Sequence, residues 1–248
     1  MAPPPPILLL TRPEPASRRF LAEIEAKGVT GFETVISPLI GIETTGPLPE
    51  MAGIRGAIFT SANGVRAYRA LGGPVLPLCY TVGETTARAA AEAGFAPKSA
   101  GGNAGDLVAM IAAEAPEGPL LHLRGTHSRG QVAERLCQTG VATREAVIYD
   151  QPAQELSAEA RAALDGESPV ILPLFSTRSA AQFAKAPPGR APLIVAAMSG
   201  DVSAALEALY VTRLEIPARP DAAHMRAVVI GLLRDGGALV QPHGSVKG

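Results

Sequence analysis

Short apolar runs alternate with longer segments whose apolar residues recur at helical spacing along almost the whole chain. The helical segments often end in glycine, as at Gly28, Gly94 and Gly140, which is typical of helix C-termini. Strand–helix alternation predicts an α/β fold with parallel sheets and helices on both faces. The predicted strands are ILLLT, TVISP, GAIFTS, LCYTVG, PLLHLRG, EAVIYD, VILPLFS, LIVAAMS and RLEIP.

The second half of the chain repeats the pattern of the first half. LLLTRP aligns with LLHLRG, which places Arg12 on Arg124, and FETVISP follows in the same register as REAVIYD. At a slightly larger offset IFTSANGVRAY resembles LFSTRSAAQFA, and GETTARAAAEAGF lies over GDVSAALEALYV with Gly83 on Gly200. This nearly constant offset predicts a duplication that produces two similar α/β domains with a cleft between them.

Ligands of open α/β sheets bind beyond the carboxyl ends of the strands, at the helix N-termini. The hydroxyl and amide side chains there have two interpretations, helix capping or contact with a ligand, and their repetition in both copies favours a ligand. An arginine at the same strand end in both copies suits carboxylates, which its planar fork binds in bidentate fashion. The residues selected by this rule are Arg12, Thr60, Ser61, Asn63, Gly83, Thr85, Thr86, Arg124, Gly125, Ser176, Thr177, Ser199 and Gly200, with Arg18, Arg19 and Arg129 on the helices that follow.

Composition and charge exclude several classes of function. With 22 Lys and Arg against 23 Asp and Glu, the formal net charge of −1 argues against a general nucleic-acid binder. The glycine-containing turn VGETTA has neither Walker nor dinucleotide spacing, which argues against a nucleotide site. Cys79 and Cys137 lack metal-ligand spacing and predict free thiols, so we expect no metal and no cofactor.

The N-terminal MAPPPPILLLTRP lacks the features of a signal peptide, and no apolar run reaches the ~18 residues of a membrane span. We therefore expect a cytoplasmic protein. No Ser-His-Asp set, Cys-His set or suggestive carboxylate pair is present. Tyr149, at the end of the strand EAVIYD, either packs in the core or donates a proton to a leaving group.

An ordered set of motifs resembles the uroporphyrinogen-III synthase family over about residues 7–235. The motifs are LLLTRP, IFTSANGV, YTVGETTARAAAEAGF, GDLVAMI, LLHLRGTHSRGQVAERL and EAVIYD. The resemblance implies a lyase that closes linear hydroxymethylbilane to uroporphyrinogen III with loss of water and inversion of ring D. It implies an azafulvene electrophile and a spiro intermediate, with catalysis mainly by orientation of a reactive substrate.

The same resemblance implies two flavodoxin-like three-layer α/β/α domains joined by a two-stranded linker. Domain 1 would comprise residues 1–37 and 153–248 and domain 2 residues 42–147, with linkers at 38–41 and 148–152. The chain is expected to act as a monomer that receives hydroxymethylbilane from the preceding pathway enzyme. Tyr149 matches the family's tyrosine and would assist departure of the hydroxyl. The substrate's acetates and propionates would bind the strand-end residues, with Arg129 among them.

The second copy departs from the family pattern. AAMSGDVSAAL replaces the glycine–threonine corner and has Ser203 where a threonine would fall. Domain 1 is therefore expected to hold carboxylates differently from domain 2. A non-catalytic two-domain binder of a small anionic metabolite stays open as the alternative function.

Overall fold

The structure is a computed structural model and describes residues 4–128 and 130–235. Its Cα positions divide the chain into unit 1, Met1–Gly41 with Ala153–Gly248, and unit 2, Ile42–Pro152. The elements in chain order are β1 (Ile7–Leu10), α1 (Glu14–Glu25), β2 (Glu33–Ile36), β3 (Glu43–Thr44), β4 (Gly56–Phe59), α2 (Ala62–Ala70), β5 (Leu78–Thr81), α3 (Glu84–Glu92), β6 (Pro97–Ser99), α4 (Ala104–Glu114), β7 (Leu120–Gly125), α5 (Val132–Gln138), β8 (Thr143–Asp150), α6 (Ala158–Asp165), β9 (Val170–Leu174), α7 (Thr177–Phe183), β10 (Leu193–Ala197), α8 (Gly200–Ala204), β11 (Arg213–Glu215) and α9 (Ala222–Asp235).

Unit 1 contains a five-stranded sheet in the order β11-β10-β9-β1-β2, and all of its strand pairs are parallel. This is the flavodoxin-like order, counted from β1. Each face of the sheet is buried by helices: Leu172 and Val195 pack with α6, α7 and α8, whereas Leu8 and Ile194 pack with α1 and α9. The α/β fold class predicted from the strand–helix alternation is confirmed.

Unit 2 contains a six-stranded sheet in the order β3-β8-β7-β4-β5-β6. Strands β4 to β8 pair in parallel, whereas the two-residue β3 runs antiparallel to β8. Phe59 and Leu121 pack beneath α2 and α3 on one face, and Ile58 and Leu120 beneath α4 and α5 on the other. Counted from β7, the parallel strands again have the flavodoxin-like order.

Each unit combines strands from both copies of the sequence repeat. In the repeat β7 and β8 correspond to β1 and β2, yet they complete the sheet of β4, β5 and β6 in unit 2. Unit 1 is completed by β9, β10 and β11 in the same way. The repeat alone would have divided the chain near Pro116, inside one compact unit. The exact boundaries at 37, 42, 147 and 153 stay a prediction.

The chain crosses between the two units twice, after Gly41 and after Pro152. The segments beside these two crossings run antiparallel to each other. In unit 1, Ile40 forms a bridge to Ala153, and the amide N–H of Gln154 donates to the carbonyl of Leu39 at 2.8 Å. In unit 2, Glu43 pairs with Asp150 through β3 and β8. Within each unit one predicted linker therefore pairs with residues that flank the other linker, and the bounds of the linkers stay a prediction.

Two strands were missed by the sequence analysis, and two helix ends were placed correctly. β3 has two residues and β6 consists of Pro-Lys-Ser at a sheet edge, so neither forms an apolar run. At the end of α3, Gly94 has φ +91° and the amide of Phe95 donates to the carbonyl of Ala90. The end of α5 at Gly140 repeats this arrangement with φ +87°. Both are Schellman ends, in which glycine provides the left-handed residue.

We expect Gly231→Ala to raise the free energy of unfolding by about 0.5–1 kcal/mol, because glycine inside a helix loses more backbone entropy on folding than alanine. Gly231 lies exposed within α9, and an added Cβ would meet no atom within 4 Å. Urea denaturation measures the change. Gly28 is the matched control, because its site is equally open but φ is +70°, so Gly28→Ala should destabilise instead. A loss of stability in Gly231→Ala would contradict the prediction.

Candidate active site

The strand order reverses at one place in each sheet, and the ladder stops early at both places. In unit 2 the last pair between β4 and β7 joins Ile58 to His122, although β7 continues to Gly125. In unit 1 the last pair between β1 and β9 joins Leu8 to Ile171, before either strand ends. The strands therefore separate towards their carboxyl ends, where the ligands of such sheets bind.

Tyr149 lies beside this crevice on the α2 face of unit 2, and its side chain is 4% exposed. Its ring packs against the backbone at two glycines. A Cβ at Gly125 would lie 2.5 Å from Cε2 of the ring, and a Cβ at Gly64 would lie 3.7 Å from Cε1 and 2.9 Å from the Leu123 carbonyl oxygen. Glycine at these positions lets the ring and the first turn of α2 approach β7.

Ser61 is the N-cap of α2, and its side chain accepts a hydrogen bond from the amide of Asn63 at 3.2 Å. The Ser61 side chain and the Gly125 backbone lie close enough to the Tyr149 phenol to oppose the rise in its pKa that burial causes. Asn63 lies within the first turn rather than at the cap, and its Oδ1 accepts from Nη1 of Arg66 at 3.3 Å. Ser61 therefore caps α2, and its contact with a ligand stays a prediction.

Thr60 and His122 are in contact on the other face of the sheet, the face that α4 and α5 cover. Oγ1 of the half-buried Thr60 lies 3.3 Å from Nε2 of His122, which is 1% exposed. Burial lowers the pKa of His122 to about 4, so the imidazole is neutral at pH 7. Within the described part of the chain, Nδ1 of His122 has no hydrogen-bond partner.

Arg124 follows His122 on β7 and is held within the protein. Its Nη2 donates to Oε1 of Glu145 at 2.6 Å, and its Nη1 donates to the carbonyl of Gly125 at 3.1 Å. The hydrogen bond to Glu145 raises the pKa of Arg124, and the same contact lowers the pKa of Glu145. Arg124 as a ligand of a substrate carboxylate stays a prediction, and such a carboxylate would compete with Glu145 for the guanidinium.

The corner at the start of α3 is open. Gly83 is the N-cap in extended conformation, with φ −165° and no side-chain cap, and a Cβ there would meet no atom within 4 Å. Uncapped amide N–H groups of a first helical turn are available to an outside anion. Thr85 is exposed at this turn, but Thr86 is 5% exposed, so its hydroxyl is less accessible than the sequence analysis expected.

Unit 1 brings Arg12 and the start of α7 to its own crevice. The guanidinium carbon of Arg12 lies 4.3 Å from the centroid of the Phe175 ring, and partial burial lowers the pKa of the arginine. A stacked guanidinium keeps its N–H donors in the plane of the fork, and Arg12 forms no ion pair within the described residues. Ser176 caps α7 by accepting from the amide of Ser179 at 3.2 Å, and Thr177 is exposed beside it.

The helix caps correct the register of the repeat by one residue at two places. Ser199 is the N-cap of α8 with φ −157° and ψ 170°, nearly the conformation of Gly83 at the start of α3. Gly83 therefore corresponds to Ser199 and not to Gly200. Ser176 corresponds to Ser61 as an N-cap, so Thr60 corresponds to Phe175. Arg129 lies outside the described residues.

The comparisons with known proteins identify the family. The family model for uroporphyrinogen-III synthase HemD matches residues 20–227. The chain belongs to the uroporphyrinogen-III synthase family. This is a family of lyases that cyclise hydroxymethylbilane in tetrapyrrole biosynthesis, which supports the predicted enzyme over the non-catalytic binder. Among curated protein sequences no relative was matched.

The structure is similar to that of uroporphyrinogen-III synthetase from Helicobacter pylori 26695, with a TM-score of 0.62 at 15% sequence identity. The match covers 92% of this chain and 99% of that one, and supports the fold. A mutant uroporphyrinogen III synthase from the extremely thermophilic bacterium Thermus thermophilus matches with a TM-score of 0.47 at 16% identity, covering 93% of this chain and 99% of that one. No helix in the described part of the chain is long and apolar enough to cross a membrane.

Three residues at the crevices of this uroporphyrinogen-III synthase family member were not selected from the sequence. For His122, the one signal in the sequence is its place two residues before Arg124, on the same face of a strand. Phe175 is the repeat counterpart of a selected residue, so the corrected register would have found it. Glu145 lies opposite His122 in the ladder between β7 and β8, a pairing that requires the strand register.

Proposed function

We propose that the chain closes hydroxymethylbilane to uroporphyrinogen III at the crevice of unit 2, with Tyr149 as the proton donor to the departing hydroxyl. The observation that carries this assignment is the position of the phenol. It is buried at the point where β4 and β7 separate, beside the serine that caps α2. Proton donors work best when they are protonated at the working pH and lie within hydrogen-bonding reach of the leaving group.

The environment of Tyr149 keeps its proton in place. Burial raises the pKa of the phenol, and the hydrogen bonds to Ser61 and Gly125 offset only part of that shift. In the proposed step the phenol O–H transfers its proton as the carbon–oxygen bond breaks, so the hydroxyl leaves as water and an azafulvene cation remains. Ring closure at the terminal pyrrole releases a proton from the attacked carbon, and that proton restores the phenol.

The acetate and propionate groups of the substrate bind donors at the strand ends. In unit 2 these are the open first turn of α3 at Gly83 and Thr85 and the hydroxyl groups of Thr60 and Ser61. Backbone N–H groups at a helix N-terminus favour carboxylates through hydrogen bonds and through the helix dipole. Unit 1 offers donors of the same kind at Arg12, Ser176 and Thr177.

The product isomer tests the proposed function directly. Without enzyme, hydroxymethylbilane closes without inverting ring D, so the enzyme must hold a folded geometry and exclude that competing closure. We expect purified protein and freshly prepared hydroxymethylbilane to give mainly the type III isomer, separated by chromatography after oxidation to porphyrins. A mixture identical to the enzyme-free control would refute the proposal.

We expect Tyr149→Phe to lower turnover at least several-fold, because the leaving hydroxyl loses its proton donor while the ring that fills the core remains. Steady-state rates of type III formation measure the effect, and denaturant unfolding shows whether the fold is kept. Tyr68→Phe is the matched control, since that buried phenol donates to the carbonyl of Pro74 at 2.9 Å and is not at the strand ends. Wild-type turnover in Tyr149→Phe would remove Tyr149 from the mechanism.

We further propose that the chain acts as a monomer in the cytoplasm and receives its substrate from the enzyme that makes it. Two free thiols, Cys79 and Cys137, fit a reducing compartment. A substrate that cyclises spontaneously favours a short transfer path. Size-exclusion chromatography with light scattering tests the monomer. Rates of type III formation with and without the preceding enzyme at equal flux test the transfer.

A further inference from the structure

His122 lies in the sheet at a position where an apolar side chain would be ordinary. Its neighbours across the ladders are Ile58 on β4 and Glu145 on β8. Leu120, two residues before it on the same face, and Ile58 belong to the apolar cluster beneath α4 and α5. A buried imidazole in such a place costs free energy unless its polar atoms are paired.

The only hydrogen-bond partner of His122 within the described residues is Thr60. Nε2 lies 3.3 Å from Oγ1 of the threonine, whereas Nδ1 is buried without a partner. Glu145 and Arg124, the charged residues closest to the imidazole along the sheet, bind each other instead. His122 is also the last residue of β7 that pairs with β4, so it lies where the two strands begin to separate.

We infer that His122 is a positioning residue that fixes the hydroxyl of Thr60 as a hydrogen-bond donor to a carboxylate of the substrate. This inference rests on the proposed function, which places Thr60 among the carboxylate-binding residues. Nε2 of the imidazole is hydrogen-bonded to the hydroxyl oxygen of Thr60. The hydroxyl proton then points to the open side of the strand end.

The direction of the hydrogen bond follows from the unpaired nitrogen. Buried N–H groups without an acceptor are rarer in proteins than acceptors without a donor. The proton therefore belongs on Nε2, which donates to Oγ1 of Thr60, and the unpaired Nδ1 carries a lone pair. A threonine hydroxyl has one O–H and two lone pairs. Once one lone pair is taken by Nε2–H, the O–H is free for an outside acceptor, and each bond in such a chain strengthens the next.

The tautomer can be tested without any activity. We expect the side-chain nitrogen signals of ¹⁵N-histidine-labelled protein at pH 7 to show a neutral His122 with the proton on Nε2. Its assignment comes from His122→Gln, in which the signal disappears, and Thr60→Val should shift that same signal. A proton on Nδ1, or a signal unaffected by Thr60→Val, would overturn the inference. This result does not depend on whether the protein makes uroporphyrinogen III.

The kinetic test uses a pair of variants and their combination. We expect Thr60→Val and His122→Leu each to raise KM for hydroxymethylbilane about three- to tenfold, with a smaller change in kcat, because a hydrogen bond to a charged group is lost. The double variant should be no worse than Thr60→Val alone, because both changes act on one interaction. His122→Gln, whose amide nitrogen can reach the position of Nε2, should recover most of the loss.

Thr81→Val is the matched control for the loss of a threonine hydroxyl. Oγ1 of Thr81 is buried at the end of the neighbouring β5 and has no partner within the described residues, so its removal should leave KM unchanged. A wild-type KM in His122→Leu, or a double variant whose loss equals the product of the single losses, would overturn the inference. Wild-type kinetics in Thr60→Val would refute the role of Thr60 in carboxylate binding and with it this inference, whereas the type III product assay would still test the proposed function.

Discussion

Between pH 6.5 and pH 4 the free energy of unfolding should fall by about 3 kcal/mol through His122 alone. The unfolded chain binds a proton at this histidine below about pH 6.5, but burial lowers the folded pKa to about 4. Within that window the unfolded state therefore binds more protons, and stability decreases as the pH falls. The contribution is fully present above pH 6.5 and is lost when both states are protonated.

Other shifted groups act at lower pH and can be separated from His122. The ion pair with Arg124 lowers the pKa of Glu145 from an ordinary value of 4.5, so its contribution is lost only below that pH. Hydrogen bonds with His224 lower the pKa of Asp221 from 3.8, with the same consequence at still lower pH. A decrease in the free energy of unfolding between pH 6.5 and pH 5 that comes from a lowered histidine pKa is therefore due to His122.

Urea denaturation of the wild type and His122→Leu at pH 7, 6 and 5 measures this contribution. The variant should lose less stability than the wild type over the range, because leucine fills the buried site without a titrating group. His224→Leu is the control, since that histidine lies at the start of α9, is 40% exposed and should leave most of the difference in place. Parallel stability curves for wild type and His122→Leu would contradict the burial of a neutral imidazole.

The elements of the site could be predicted from the sequence because they depend on local chemistry. A buried run followed by Thr60 and Ser61 predicts a strand end and a helix cap, and both are present. Gly83 before an alanine-rich segment predicts an open helix start in the same way. Strand ends in a parallel sheet share an edge, so the rule that selected these residues needed only the order of strands and helices.

The partners of those residues could not be predicted, because they depend on strand register. Arg12 and Arg124 are equivalent in the repeat, yet one stacks on Phe175 and the other binds Glu145. Val147 is the residue opposite Arg124 in the ladder, and Glu145 lies two residues before it, so no spacing in the sequence reveals the contact. The exchange of strands between the two repeat copies could not be predicted for the same reason. β1 and β2 have nearly the same sequence pattern as β7 and β8, so either pair would fit either sheet.

We expect Gly125→Ala to destabilise the protein by about 1–3 kcal/mol and to lower turnover about as much as Tyr149→Phe. A Cβ at residue 125 would lie 2.5 Å from Cε2 and 2.6 Å from Cζ of Tyr149. Carbon atoms in contact are about 3.5–4.0 Å apart, so the ring must move by about 1 Å. Gly64 and the first turn of α2 lie against the ring and limit where it can go.

The measurements are denaturant unfolding and the rate of type III formation, with Gly83→Ala as the stability control. A Cβ at Gly83 meets no atom within 4 Å and its φ of −165° suits any residue, so that variant should unfold like the wild type. If Gly125→Ala acts by displacing the phenol, adding it to Tyr149→Phe should lower turnover little further. Full additivity of the two changes would show that Gly125 supports catalysis by a route other than the position of Tyr149.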